Sequence, residues 1–489
     1  MSPETLILSS LAIPLAGAAL IGASGWFNDN LRETVTLLTA GVLIACVWGL
    51  LPTVFDGARP GVELFEVLPG IPIAFEVEPL GMLFAALASG LWLVNSVYSI
   101  GYMRGNKENK QTRFYVLFAV SLAATMGIAF AANLFTLFLF YEVLTLATYP
   151  LVAHKGDEKT VRSARVYLGV LISASIGLML PAIIWTYAVA GTGDFTMGGI
   201  LHGHIEGPAV GLLLGLFVFG AAKAAVMPLH RWLPAAMVAP TPVSALLHAV
   251  AVVKAGVFTV TKIIVYVFGV DFLFAEPSSD WLFYAAAFTI LAASLVALRQ
   301  QNLKRLLAYS TVAQLSYVVM ASAILKPLAE VGATIHMVAH AFGKITLFFA
   351  AGAIYTAARK TELVQLRGIG RRMPITMTAF TIGALSMIGV PPTAGFVSKW
   401  YILAGAFQAD NYIALATIVA STALNAAYFL PIVYWGWFGQ DTTPPGKEHG
   451  EAPLTILLAL ATTAALTIAF FVYSAPVYEL EAQLVKVQP

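Results

Sequence analysis

Apolar runs of about twenty residues follow one another through this sequence, from "LILSSLAIPLAGAALIGAS" near its start to "LTILLALATTAALTIAFFV" near its end. A run of that length, coiled as a helix, spans the hydrocarbon core of a bilayer. Inside that core every backbone amide needs a partner within the protein, and separate apolar runs meet the need by forming helices. The expectation is an all-α polytopic membrane protein. Charged residues make up 11% of the chain and hydrophobic ones 59%, against roughly 25% charged in soluble domains. Little is left over for a soluble domain. The net charge of +2 comes with no basic tract, so no nucleic-acid partner is expected. Cys46 is the one cysteine and excludes an intrachain disulfide. The first residues lack a basic stretch, so 5–24 reads as a retained span and not a cleaved signal.

Fourteen helices are predicted, over 5–25, 33–55, 79–100, 114–131, 133–153, 166–190, 209–228, 242–269, 281–298, 306–325, 328–357, 374–407, 411–437 and 453–473. Lysine and arginine set the orientation. The loops that follow odd-numbered helices hold nineteen of them, from Arg32 to Lys447, whereas Arg59, Lys326 and Lys486 alone occupy the other loops and the ends. Both termini are therefore expected outside, with the odd-first loops cytoplasmic, in a multi-pass protein of the cell inner (plasma) membrane.

Five lysines fall inside predicted helices: Lys223, Lys254, Lys262, Lys344 and Lys399. So do Glu142, in "LFTLFLFYEVLTLATYPLV", and His248, His336 and His340. An ionisable group at mid-bilayer costs about 2.5–3.5 kcal/mol on insertion scales, and such groups face the bundle interior and mark ion paths. Glu142 reads as a relay carboxylate with Lys223 as its partner; the plain alternative is a hydrogen-bonded cross-link. His248 lies six residues before Lys254, about 240° away on a regular helix, so the two share a face only if the helix is broken. Lys262 is nearer a helix end and reads as a lysine snorkelling to the surface. In "HMVAHAFGK", His336, His340 and Lys344 form one stripe at intervals of four, suited to a water wire. The same histidine spacing serves zinc elsewhere, but no carboxylate accompanies it, and no metal is expected.

Two of the lysine-bearing helices are interrupted. Pro228 follows Lys223, and Pro391 and Pro392 precede Lys399 in "GVPPTAGFVSKW". A proline frees backbone carbonyls, which is tolerated in a membrane where the break lines a cavity. Each break lies in the fourth of five helices, of 114–269 in one case and 281–437 in the other. Five is odd, so the second set enters from the opposite side, giving inverted repeats with paired broken helices. A single membrane domain, 1–489, is expected: three leading helices over 1–113, the two repeats, and a closing helix and tail over 453–489.

With "KAAVMPLHRWLPAAMVAPTPVSALLHAVAVVKAG", "HAFGKITLFFAAG" and "GVPPTAGFVSKW", the sequence resembles the antiporter-like, proton-translocating subunit family over about 80–440. That family includes subunits of Mrp-type Na⁺/H⁺ antiporters, respiratory complex I and membrane-bound hydrogenases. The resemblance implies fourteen helices, two inverted five-helix repeats and a polar axis at mid-membrane. Glu142, Lys223, Lys254, His340, Lys344 and Lys399 match the family's charged positions. Lys399 and the chain length are similar to an Mrp D-type subunit or its hydrogenase and complex I counterparts, while "TPVSALLHAVAVVKAG" looks like the complex I and hydrogenase members. Partners are then other membrane subunits, protons, Na⁺ as the exchanged cation, and the lipid bilayer. No haem, iron–sulfur, flavin or nucleotide motif is seen, so no cofactor is expected and any redox chemistry belongs to partners. A membrane-embedded transferase is the rival class. It calls for a motif at a loop mouth, and the long outer loop 56–78 has Asp56, Glu63, Glu66, Glu76 and Glu78 without one.

Overall fold

A computed structural model describes residues 1–441 and 449–484; Lys447 and Lys486 lie outside the described residues. The helices, in chain order, are α1 (Pro3–Ser24), α2 (Asp29–Trp48), α3 (Pro79–Gly105), α4 (Gln111–Ala129), α5 (Leu134–Val152), α6 (Glu158–Ala190), α7 (Pro208–Gly220) and α8 (Thr241–Phe268). They continue with α9 (Trp281–Leu298), α10 (Leu303–Ser322), α11 (Pro327–Ala358), α12 (Pro374–Ile388), α13 (Ala394–Gln408), α14 (Tyr412–Phe438), α15 (Leu454–Val472) and a tail helix α16 (Ala475–Glu481). The expected segments are helical over most of their length, except 221–228 and 389–393, and the protein is a multi-pass membrane protein. By length and composition, eleven of the described helices are fit to cross a membrane, where the sequence reading has fourteen. The difference lies in α7, α10 and the α12–α13 pair, which are short or carry polar residues.

Among the described residues, the departure from an all-helical fold stands in the loop between α2 and α3. Strands β1 (Gly61–Leu68) and β2 (Ile71–Glu76) pair antiparallel, with Gly61 opposite Glu76. The hairpin is pinned to the α4–α5 turn: the Glu76 amide donates to Phe130 O at 2.7 Å, and the Ala132 amide to Ala74 O at 3.0 Å. Leu64, Phe65, Val67 and Leu68 remain exposed on it.

Burial is uneven among the helices. The apolar stretch of α8 is wholly buried inside the protein and that of α11 is 94% buried, against 33% for α1 and 39% for α15. A helix surrounded on all sides by protein has no wet or lipid face on which to place polar residues. The lysines of α8 and α11, and His336 and His340 of α11, are bonded to other segments of the chain. With 32 residues, α11 extends about 48 Å at 1.5 Å per residue, more than the roughly 30 Å of hydrocarbon.

The two proline-marked breaks are real. The helix α7 stops at Gly220, and the chain leaves helical geometry at Ala221 and at Ala225, whose φ is +57°. A short helix, Trp232–Ala235, fills part of the segment between Pro228 and Pro240. The predicted helix over 374–407 divides into α12 and α13, separated by 389–393. Gly389 caps α12 with a φ of +92°, a conformation open to glycine at little cost.

Candidate ion-relay axis

The first break presents Lys223 to α5. Its Nζ donates to Tyr141 O at 2.8 Å and to Thr145 Oγ1 at 2.7 Å, and its backbone amide donates to the Tyr141 hydroxyl at 3.1 Å. The amine also lies 3.0 Å from the centroid of the Tyr141 ring. Tyr141 and Thr145 flank Glu142 on α5, so the lysine docks where the sequence placed its partner. The expected Glu142–Lys223 ion pair itself is not formed: both Glu142 carboxylate oxygens are buried without a hydrogen-bond partner among the described residues. The indole of Trp232 satisfies the freed Ala222 carbonyl at 2.9 Å. A Cβ at Gly256 of α8 would overlap the backbone of Lys223 and Ala224. The glycine thus lets the break lie directly against the helix that carries Lys254.

The helix α8 is itself irregular. A π-helical turn over Leu246–Val250 ends at Ala251, with φ −122° and ψ −65°. The 240° separation of a regular helix therefore does not hold between His248 and Lys254. The His248 ring packs on Phe348 at 4.7 Å, and neither of its nitrogens has a partner among the described residues. Lys254 Nζ lies 2.7 Å from His340 Nδ1 on α11.

The stripe on α11 holds, and its members reach three different helices. His340 meets Lys254 of α8; His336 Nδ1 meets Ser398 Oγ of α13 at 2.9 Å; Lys344 Nζ donates to Ser310 Oγ of α10 at 2.8 Å. The two imidazole rings are 6.3 Å apart.

At the second break, Lys399 Nζ donates to Ile388 O at 2.8 Å, Met387 O at 3.2 Å and Thr422 Oγ1 at 3.2 Å. These are carbonyls that α12 leaves unpaired where it ends ahead of Pro391 and Pro392. Met387 O also accepts from Asn425 Nδ2 at 3.3 Å. The Tyr428 hydroxyl donates to Asn425 Oδ1, and its oxygen lies 3.1 Å from Ser310 Oγ, whose hydroxyl donates to it. A buried hydrogen-bonded chain thus runs from Lys344 through Ser310, Tyr428, Asn425 and Met387 O to Lys399.

Sequence reasoning passed over these links. Asn425 carried a readable signal, as a lone amide in an apolar run. Ser310, Tyr428 and Ser398 did not, because hydroxyls are common in helices. Lys262 needs correction. It does not snorkel: it is fully buried and forms an ion pair at 3.0 Å with Glu78 Oε1, and it donates to Ala131 O at 2.9 Å. Glu78 also accepts from the Tyr266 hydroxyl at 2.9 Å and caps α3 through the amides of Leu80 and Gly81. The helix α8 is too enclosed for a lysine to reach the surface, so it found an anion inside. Beside this pair, burial raises the Glu76 carboxyl, with Lys262 opposing. On the opposite side of the membrane, burial and Arg113 lower His154 to about 4. Among the described residues, no group of three or more His, Cys, Asp or Glu is placed to hold a metal ion.

Residues 131–425 match the family described as NADH:quinone oxidoreductase/Mrp antiporter, transmembrane. The chain is 32% identical over 454 residues to NADH-quinone oxidoreductase subunit N of Desulforudis audaxviator, covering 92% of this chain and 89% of that one. It is 30% identical over 510 residues to a probable K⁺/H⁺ antiporter subunit of Rhizobium meliloti, covering 96% of this chain and 48% of that protein. In fold it is similar to a chain of the Mrp complex from a Dietzia species, with a TM-score of 0.86 at 22% identity over 99% of this chain and 97% of that one. It is likewise similar to a chain of the membrane-bound sulfane sulfur reductase, an archaeal respiratory complex, with a TM-score of 0.85 at 24% identity over the same shares. The match spans both helix breaks and all of the buried lysines, and the chain belongs to the NADH:quinone oxidoreductase/Mrp antiporter family of membrane subunits.

Proposed function

We propose that this chain is a proton-translocating, antiporter-like subunit of a multi-subunit membrane complex, of the Mrp type that exchanges a monovalent cation for protons. One observation carries the reading. Lys223, Lys254, Lys344 and Lys399 all rest against carbonyl, hydroxyl or imidazole acceptors, with no carboxylate among the described residues bonded to any of them. An amine donates to such acceptors whether or not it carries its extra proton. Each site therefore keeps its hydrogen bonds while its charge changes, as a relay requires. Protons pass along Glu142, Lys223, Lys254, His340, His336, Lys344 and Lys399, with His248 beside the path. The Glu142 carboxylate, unbonded in this arrangement, is placed to turn toward Lys223 and hold its charge. Pro228, Pro391 and Pro392 keep the two breaks open, in the corresponding helices of inverted repeats 114–269 and 281–437.

The membrane is the cell inner membrane, with both termini outside; the skew of lysine and arginine between alternate loops supports this, and a reporter fused to the C-terminus tests it. For the function, Glu142→Ala and Lys223→Ala are made separately in the assembled complex, and proton–cation exchange is measured in vesicles. Normal exchange with normal assembly overturns the proposal.

A second reading is a proton-pumping subunit of a redox-driven, complex I-like or hydrogenase-like assembly. It is favoured by the near full-length match to a quinone oxidoreductase subunit N. Vesicles in which proton movement follows an added electron donor, and not a Na⁺ or K⁺ gradient, decide for it.

A further inference from the structure

Glu330 has no part in the relay described above, yet it is buried in the first turn of α11 with 2% of its surface exposed. Neither carboxylate oxygen has a hydrogen-bond partner among the described residues. A buried polar side chain in that condition is unfavourable unless it serves a purpose. Its place in the fold is specific. The helix α11 begins after Lys326, in a loop assigned to the outer side, and Glu330 lies six residues ahead of His336, about 9 Å along the axis. His336 uses Nδ1 for Ser398, while its Nε2 is unpartnered among the described residues. Ser322, at the end of α10, sits beside the carboxyl. Its Oγ is 3.1 Å from Thr261 Oγ1 on α8. Thr261 is seven residues beyond Lys254, two turns along the same helix face. A column of polar groups thus runs outward from the Lys254–His340 pair along α8, through Thr261 and Ser322, and ends at Glu330. On α11, His336 stands between that pair and Glu330 in height, but on a different face of the helix from Glu330, about 240° around it.

We propose that Glu330 is the proton-release group on the outer face of this subunit. The inference rests on the relay reading above. In the step, a proton passes from the protonated His336 imidazole through intervening water to a Glu330 carboxylate oxygen, giving a neutral imidazole and a carboxylic acid. The acid then yields that proton to outer water as hydronium and returns to carboxylate. The titratable groups on the elements around it are Lys254, Lys262 and Tyr266 of α8, Tyr317 of α10, His336 of α11, Lys399 and Tyr401 of α13, Glu78 at the start of α3, and Tyr478 and Glu481 of α16. None of them forms an ion pair with Glu330 among the described residues.

The test uses the assembled complex in vesicles with a pH-sensitive dye, comparing wild type, Glu330→Gln, Glu330→Asp and Lys223→Ala. Assembly is followed by native gel. Glu330→Gln is expected to lower proton transfer at least tenfold with assembly intact. Glu330→Asp keeps a titrating group and is expected to retain transfer, with its dependence on outer pH displaced. Wild-type transfer in Glu330→Gln, while Lys223→Ala is inactive, overturns the release role alone. Wild-type transfer in Lys223→Ala overturns the relay reading beneath it. Should Glu330→Gln fail to assemble, the aspartate variant decides: an outer-pH profile that superimposes on wild type overturns the release role.

Discussion

Lys254 Nζ and His340 Nδ1 stand 2.7 Å apart, between the two most enclosed helices of the protein. At that distance a single proton serves both nitrogens, since two fully protonated groups would meet donor to donor. The pair acts as one unit, and units of this kind give strongly non-additive mutational effects. Lys254→Met and His340→Leu are each expected to slow proton transfer at least tenfold, and the double variant to be no slower than the worse single. Rates in vesicles, normalised to assembled complex, check this. A double variant whose loss equals the product of the two single losses shows two independent residues instead.

Lys399 holds the broken end of α12 through two carbonyls. Lys399→Met leaves Ile388 O without its donor, while Met387 O keeps Asn425, and an unsatisfied buried group costs about 1–3 kcal/mol. The expected result is a lower thermal midpoint of the purified complex together with loss of proton transfer. Lys399→Arg keeps a donor at the break, but a guanidinium does not release its proton. That variant is expected to be the more stable of the two and as inactive. Measuring the midpoint and the transfer rate on both variants separates the carbonyl-capping role from the proton-carrying one.

Much of this is legible in the sequence alone. Most of the length of the predicted segments is helical, because long apolar runs leave a membrane chain few choices. The breaks at Pro228 and Pro391–Pro392 are readable for the same local reason, as is the stripe of His336, His340 and Lys344. What escapes reading are partners distant in sequence. Lys262 reads as a surface lysine because it lies near a helix end; nothing local reveals that Glu78, 184 positions earlier, is folded in beside it. The β1–β2 hairpin is hidden because its strands carry interspersed charges in a loop that shows no motif. Charge alone pairs Glu142 with Lys223, and the structure instead seats the lysine on Tyr141 and Thr145, on either side of the glutamate.

The tail helix α16 contains a pH-sensitive contact. Glu481 is buried at 1% exposure, and burial, with Glu78 adding to it, raises its carboxyl well above the ordinary value, Thr334 opposing. A raised carboxyl favours the docked state at low pH. That contribution is complete below the ordinary glutamate value near 4.5 and is lost as pH rises toward the docked value, at up to about 1.4 kcal/mol per pH unit for one proton. The tail is therefore expected to loosen as pH is raised from 5 toward 8. Hydrogen exchange over 475–484 reports it, and Glu481→Gln should remove the dependence and hold the tail down at the alkaline end. Equal slopes in the two proteins exclude Glu481 as the titrating group.

The Glu78–Lys262 pair joins the start of α3, the α4–α5 turn and the C-terminal end of α8. Glu78 accepts from Lys262, Tyr266 and the amides of Leu80 and Gly81, so its removal breaks a buried ion pair and an N-terminal cap together. Losing one partner of a buried pair costs about 3–5 kcal/mol, chiefly through the charge left behind. Lys262→Met strands the carboxylate but keeps the cap; Glu78→Ala strands the ammonium and loses the cap, a further 0.5–2 kcal/mol or so. The double variant leaves no stranded charge and retains only the cap loss. The expected order of thermal midpoints is wild type, then the double variant, then Lys262→Met, then Glu78→Ala, measured on the detergent-solubilised complex. A double variant less stable than either single reverses that order, and with it the view that the charge left behind, more than the packing, sets the cost.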